Sequence, residues 1–182
     1  MNTSTVEFVR RALALKDVAR RGWLRAGMER PESVADHSWG VALLALCVAE
    51  DRPELDRSRL LELAVVHDLS EVVTGDLVPG EYVDRAEKLG RERAAMGVLV
   101  EDAPPALRVH LLALFEELAA DASAESRFVH QLDKLEMAFQ AERYATRGIP
   151  ANVLRSFHES AARGVTDARL RQALAKLARD GS

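Results

Sequence analysis

Apolar side chains recur at the spacing of an α-helix along nearly the whole chain, and this periodicity is the strongest constraint on its fold. Val34, Val41, Leu44 and Val48 fall on one face of a helix. No stretch of five or more residues alternates between apolar and polar side chains as a half-buried β-strand requires. We therefore predict an all-α fold, a single-domain bundle of six to eight helices.

Several helix boundaries are also indicated by the sequence. The first helix is predicted from about Thr5 to Arg20, and a capping box formed by Ser33 and Asp36 predicts the start of the long apolar helix. The next helix is predicted to begin near Asp56. The Thr-Gly-Asp sequence at 74–76 predicts a loop after it.

Four potential metal ligands lie within these helical segments. His37 shares the apolar face of its helix, and so does His67, with Asp68 beside it; Asp133 borders the apolar face of a later helix. Imidazole and carboxylate groups suit a divalent cation, and burying them without a partner would cost several kcal/mol. The sequence thus predicts one divalent metal ion, and the donor set admits Mn, Co, Fe, Ni, Zn or Mg.

Each of these residues alone has a simpler interpretation. A histidine on an apolar helix face is more often satisfied by hydrogen bonds within the core, and a His-Asp dipeptide arises readily by chance. Two inward histidines accompanied by Asp68, Glu71, Asp76 and Asp133 are harder to explain in that way. The combination favours a functional site.

Composition limits the class of protein. A chain of 182 residues with 48% hydrophobic content can bury one core, so we expect a single domain over residues 1–182. The longest apolar run, 41–49, is too short to cross a bilayer, and the polar N-terminus lacks a signal-peptide core. The single cysteine, Cys47, excludes an intrachain disulfide and is expected to be inert packing. These features predict a cytoplasmic protein with no membrane partner.

The charge distribution gives a weaker indication. A net charge of -4 argues against binding of a nucleic acid polymer. Basic residues nevertheless crowd the first thirty positions, where a guanidinium is able to bind phosphate through two parallel hydrogen bonds.

The order His, His-Asp, Asp and several longer strings resemble a known family. The strings are Arg20–Trp23, Pro31–Ser38, His67–Pro79, Glu87–Lys88 and Asp133–Met137. They are similar to the 5′-deoxynucleotidase branch of the HD-domain superfamily of metal-dependent phosphohydrolases. The resemblance covers roughly residues 10–147, and we expect the C-terminal helices, 150–182, to pack on that core.

This resemblance implies the roles of the site residues. It assigns His37, His67, Asp68 and Asp133 to the metal, as the helix faces also suggest. It implies a homodimer, and it places an arginine on the phosphate, for which we choose Arg20 over Arg21, with Trp23 near the nucleoside or shaping the pocket. No chemistry is assigned to Glu87 and Lys88.

Two carboxylates are expected to move protons. Glu71 would share the face of His67 and Asp68 if their helix continued, and we assign it to the attacking water. Asp76 follows a glycine that permits a tight turn over the site, and we assign it to the leaving group. Taken alone, Glu71 reads as a surface residue and Asp76 as a turn cap.

The expected reaction is the metal-dependent removal of the 5′-phosphate from (deoxy)ribonucleoside 5′-monophosphates. Two alternatives stay open at this point. The first is an HD-type hydrolase of another phosphoester, such as a nucleoside triphosphate or a phosphodiester. The second is a catalytically silent regulatory module that binds metal or nucleotide.

Overall fold

Helices make up almost all of the regular structure in the computed structural model, which describes residues 2–180 of the chain. In chain order they are α1 (Thr3–Ala12), α2 (Arg21–Arg25), α3 (Val34–Ala49), α4 (Arg57–Val66), α5 (Glu71–Thr74), α6 (Arg85–Leu99), α7 (Pro105–Ala119), α8 (Ala124–Ala145), α9 (Ala151–Gly164) and α10 (Ala168–Asp180). A 3₁₀ helix, Leu13–Asp17, follows α1. Within the described residues no β-strand forms, and the all-α prediction is confirmed.

Helix α3, which carries His37, and helix α4, which leads to His67, both begin where the sequence predicted. The Ser33 hydroxyl accepts a hydrogen bond from the Asp36 amide at 3.1 Å, and the Asp36 carboxylate accepts one from the Ser33 amide at 2.9 Å. The Asp56 carboxylate caps α4 by accepting from the Arg59 amide at 3.0 Å. These caps fix the first residues of α3 and α4. They therefore help to determine which side chains of each helix face the core.

The first helix ends earlier than predicted. It stops at Ala12, and the chain tightens into the 3₁₀ helix and then extends into an isolated antiparallel bridge between Ala19 and Ser33. The Val34 amide donates to the Val18 carbonyl at 2.8 Å, and the Arg20 amide donates to the Glu32 carbonyl at 3.1 Å. These long-range hydrogen bonds override the local helical preference of residues 13–20.

The predicted number of helices was too low, since residues 2–180 form ten α-helices. Two of them, α2 and α5, have five and four residues. Helices this short bury too few residues to show a periodic pattern, so sequence periodicity does not detect them.

The core lies between α3, α4 and α8, and fully buried Val41, Leu60 and Leu132 belong to it. A second, smaller apolar cluster joins Trp23 to α8 and α9 through Tyr144 and Leu154. The C-terminal helices α9 and α10 both pack against α8. Helices α8 and α9 both contribute residues to each cluster and so link the two.

The expectation that Cys47 is buried packing was wrong. Cys47 is exposed, as are Trp39 and Leu43 on the outer side of α3. The apolar run of α3 extends all round the helix, whereas only one face contacts the core. In the described part of the chain, no helix combines the length and the apolar character needed to cross a bilayer.

Candidate metal centre

The structure brings the four predicted metal ligands together from three helices. His37 comes from α3, His67 and Asp68 follow the end of α4, and Asp133 comes from α8. His37 Nε2 lies 3.1 Å from Asp133 Oδ1 and 3.9 Å from Asp68 Oδ2. His67 Nε2 lies 3.1 Å from Asp68 Oδ2. One ligand atom from each of His37, His67 and Asp133 lies within 4.8 Å of the others.

The two imidazole rings are oriented by hydrogen bonds on their outer nitrogens. His67 Nδ1 lies 2.7 Å from the Ala64 carbonyl, which accepts only, so Nδ1 carries the proton. His37 Nδ1 lies 2.5 Å from Glu136 Oε2 and donates to that carboxylate in the same way. When either ring is neutral, its Nε2 is therefore the nitrogen with a lone pair, and that lone pair faces the centre.

The surroundings of both Nε2 atoms are those expected for a histidine that binds a metal, and not for a histidine that is hydrogen-bonded within a core. Each is buried without a well-aligned hydrogen bond, although an aspartate oxygen lies 3.1 Å away. A buried polar atom with no partner is costly and uncommon in a native protein. Two such atoms that face the same space as two aspartates form a donor set suited to one divalent cation.

The electrostatics of the centre favour positive charge. Burial and Arg20 lower the pKa of His37, but the carboxylates of Asp133 and Glu136 outweigh them and raise it to about 9. Burial raises the pKa of Asp68, but the charges of His67, His37 and Arg20 outweigh it and hold that pKa well below its usual range. The centre thus keeps its aspartates ionised, ready to bind a cation.

Glu71 lies beside the centre, although the helix does not continue to it as predicted. Helix α4 ends at Val66, and a turn separates it from Glu71, the first residue of α5. The side chain is 3% exposed, and its Oε2 has no hydrogen-bond partner. Burial, and then the charges of Asp68 and Asp76, raise the pKa of Glu71 to about 10. Burial is the largest cause of this rise, and the two neighbouring carboxylates add to it.

Asp76 connects the carboxylates to the arginine segment. Gly75 adopts φ 69°, in the left-handed region that favours glycine, and turns the chain back. Asp76 is buried, and its Oδ2 accepts a hydrogen bond from the Arg21 amide at 2.6 Å. The loop after α5 therefore holds the start of α2 against the site.

The structure distinguishes the two neighbouring arginines. Arg20 Nη1 lies 3.6 Å from Asp68 Oδ2, and its side chain is 14% exposed. The Arg21 side chain is 45% exposed and pairs with Glu81, away from the centre. Arg20 is therefore the guanidinium that lies beside the predicted metal ligands, while its binding of phosphate stays a prediction.

Trp23 lies behind Arg20 in the smaller apolar cluster. Its ring is 1% exposed, stacks on Phe157 at 3.7 Å between centroids, and donates from Nε1 to Glu32 at 2.9 Å. This burial favours the pocket-shaping role for Trp23 over direct contact with a nucleoside.

Two residues gain significance that the sequence did not give them. Glu136 orients His37, and its position three residues after Asp133 on α8 was the only signal for it. Lys88, to which no chemistry was assigned, lines a cavity of about 490 Å³ together with His67, Asp68 and Asp133. Nothing in the local sequence separates Lys88 from an ordinary surface lysine of α6.

The protein-family model of the HD domain matches residues 12–174 of this chain. The chain belongs to the HD-domain family. This HD domain is 38% identical over 159 residues to human 5′-deoxynucleotidase HDDC2, a match that covers 87% of this chain and 77% of the relative. It is 36% identical over 146 residues to the 5′-deoxynucleotidase hdd1 of Schizosaccharomyces pombe, covering 78% and 72% of the two chains. A crystal structure of a Pyrococcus horikoshii protein superposes with a TM-score of 0.77 at 29% identity, over 96% of this HD domain and 99% of that chain.

Proposed function

We propose that this HD domain is a divalent-metal-dependent phosphohydrolase that removes the 5′-phosphate of (deoxy)ribonucleoside 5′-monophosphates. The products are a nucleoside and inorganic phosphate. The observation that carries the proposal is the pair of buried, unpartnered Nε2 atoms of His37 and His67, which face the same space as two aspartates. The relatives named 5′-deoxynucleotidase support the substrate class.

His37, His67, Asp68 and Asp133 would hold one divalent cation. Such a cation, when bound, polarises a phosphoryl oxygen and lowers the pKa of a coordinated water. Glu136 keeps the His37 ring in the orientation needed, through the 2.5 Å contact with Nδ1. Mn, Co, Fe, Ni, Zn and Mg all remain candidates for the native ion.

Glu71 and Asp76 are proposed to move the two protons. A bound cation would offset the charges of Asp68 and Asp76 that help to raise the pKa of Glu71, and the buried, unpartnered Oε2 of Glu71 would then accept a proton from the attacking water as the new bond to phosphorus forms. Asp76, fixed by the Arg21 amide, donates a proton to the 5′ oxygen as the bond from phosphorus to that oxygen breaks. Glu71 thus gains the proton that the water loses, and Asp76 loses the proton that the nucleoside gains, so the protons balance.

Arg20 is proposed to bind the phosphoryl group. Its guanidinium lies beside Asp68 and is largely buried, so it presents a fixed fork of N–H donors at the centre. The Trp23 amide donates to the Arg20 carbonyl at 3.2 Å, and Trp23 would shape the pocket beside it. The exposed Arg21 serves as a comparison, since it differs from Arg20 chiefly in position.

The test is phosphate release by metal-stripped protein resupplied with Mn²⁺ or Co²⁺. Substrates are 5′-dNMPs, 5′-NMPs, dNTPs and a model phosphodiester, with Asp68→Ala as the control. We expect metal-dependent release from 5′-dNMPs that Asp68→Ala abolishes. Release only from triphosphates or diesters would assign the chain to another HD hydrolase, and no release with metal bound would indicate a regulatory module.

We also propose that residues 1–182 form one HD domain, that it assembles as a homodimer, and that it acts in the cytoplasm. The exposed apolar side chains Trp39, Leu43 and Leu46 on α3 support the dimer, because a contiguous apolar face is typical of an interface. Light scattering coupled to size exclusion tests the dimer, with Leu43→Glu expected to give monomers. Cell fractionation tests the location.

A further inference from the structure

Lys88 is the fourth residue of α6 and lines the same cavity as His67, Asp68 and Asp133. Helix α6 packs against α5, the helix that carries Glu71. The Lys88 side chain is 32% exposed and belongs to the lining of the 490 Å³ cavity that reaches His67 and Asp68. Burial lowers the pKa of Lys88, but the charge and hydrogen bond of Glu92, with Asp68 and Glu71, raise it on balance. The ammonium is therefore a fixed positive charge.

The contacts of Lys88 leave part of its hydrogen-bonding capacity unused. Among residues 2–177, whose side chains the structure describes, the one carboxylate within 4 Å of Nζ is that of Glu92, at 3.0 Å and one turn further along α6. An ammonium group has three N–H donors. At least one donor is thus able to reach a ligand in the cavity without breaking the contact with Glu92.

The other cations of this cavity are placed differently. Lys134 Nζ donates to Oδ2 of Asp133, a proposed metal ligand, at 3.0 Å. The Arg85 side chain is 76% exposed and pairs with Asp121 at the rim. Lys88 is the partly buried cation whose partner is neither a proposed metal ligand nor a rim residue.

The charge balance of the site calls for a second cation beside Arg20. Asp68 and Asp133 cancel the charge of a divalent cation, and Glu71, Asp76 and Glu136 add further carboxyl groups beside it, so the filled centre has no excess positive charge to neutralise substrate. A phosphate monoester has a second pKa near 6 and is mostly a dianion at pH 7.5. Arg20 supplies one positive charge, and Lys88 supplies another from α6.

We propose that Lys88 binds the phosphoryl group together with Arg20, and that this second cation makes the site selective for dianionic phosphate monoesters. The inference rests on the proposed phosphohydrolase function and names the charge state that its substrate must have. A phosphodiester carries one negative charge and gains less from Lys88.

Binding of inorganic phosphate to Mn²⁺-loaded protein tests this without requiring turnover. Calorimetric titrations at pH 8 and pH 5.5 compare the dianion with the monoanion for wild type, Lys88→Met, Lys88→Arg and the control Lys16→Met, an exposed lysine outside the cavity. At pH 8 we expect Lys88→Met to weaken binding roughly 10- to 100-fold, the range for a lost charge-assisted hydrogen bond. Lys88→Arg should retain most of the affinity, and the loss should shrink at pH 5.5.

The result that would overturn the proposal is a metal-loaded Lys88→Met protein that binds phosphate as wild type does, or one that loses the same affinity at both pH values. If Lys88→Met does not fold or load metal, Glu92→Gln replaces it. Removing the competing carboxylate should tighten phosphate binding several-fold, and unchanged or weaker binding would refute the role. A wild type that binds phosphate through Lys88 but releases none from 5′-dNMPs would count against the proposed function alone.

Discussion

Replacing Glu136 with glutamine tests whether the metal centre depends on the orientation of His37. Glu136 Oε2 lies 2.5 Å from His37 Nδ1, and the His37 side chain is fully buried. Glutamine keeps the shape and an acceptor oxygen but removes the charge, which roughly halves the strength of such a hydrogen bond. Loss of a partner of this kind typically lowers metal affinity 10- to 100-fold, or about 1.4–2.7 kcal/mol.

A proton competes with the metal for His37, and this makes the prediction pH-dependent. Because the pKa of His37 is about 9 in the metal-free protein, metal binding below pH 9 must displace a proton. Glu136→Gln removes a carboxylate that raises this pKa, so the proton is displaced more easily. The loss of metal affinity should therefore be smaller at pH 7 than at pH 9.5, where His37 is already largely neutral.

The assay is competition for Mn²⁺ against a fluorescent chelator at both pH values. Glu142→Gln, on the same helix and outside the metal centre, is the matched control and should bind as wild type does. A folded Glu136→Gln protein with wild-type affinity at pH 9.5, or with a larger loss at pH 7, would refute the argument that Glu136 acts through His37.

Three further predictions follow from the same geometry. Gly40→Ala would place a methyl group 2.7 Å from Glu136 Oε1, so the variant should bind metal more weakly in the chelator competition. The control Gly97→Ala adds a methyl group that meets nothing within 4 Å, and it should bind metal as wild type does. Burial, and then the charge of Glu136, raise the pKa of Glu32 to about 7. The contribution of Glu32 to stability is therefore present below pH 4.5 and is lost as the pH rises through 7. In denaturant titrations of metal-free protein, the free energy of unfolding should fall less over that pH range in Glu32→Gln than in wild type. Metal at 100 times its Kd should stabilise the fold by about 2.7 kcal/mol, which raises Tm by roughly 5–10 °C in a thermal scan, and by much less in Asp68→Ala.

The helix-face argument identified four residues that the structure brings together, because their positions obey local rules. His37 and His67 share a stripe with apolar neighbours, and the caps at Ser33 and Asp56 fix the helices that carry them. A side chain on the buried face of a regular helix has a direction that sequence spacing reveals. The meeting of His37, His67, Asp68 and Asp133 therefore agrees with the spacing.

The parts that sequence did not reveal depend on contacts between distant segments. The early end of α1 results from pairing of residues 18–20 with 32–34, and Glu71 reaches the site after a turn, at the start of a four-residue helix. The exposure of Cys47 follows from which face of α3 meets the core. Lys88 gains its position from the packing of α6 on α5, which no pattern within α6 encodes.

The bridge between Ala19 and Ser33 sets how the proposed site is aligned. Arg20 follows one bridge residue directly, and His37 lies one helical turn beyond the other, where its amide donates to the Ser33 carbonyl at 3.1 Å. The proposed phosphate ligand and the proposed metal ligand thus belong to one hydrogen-bonded backbone unit. Their relative position is established when the chain folds, so the entropy of bringing them together is not lost again in each catalytic cycle.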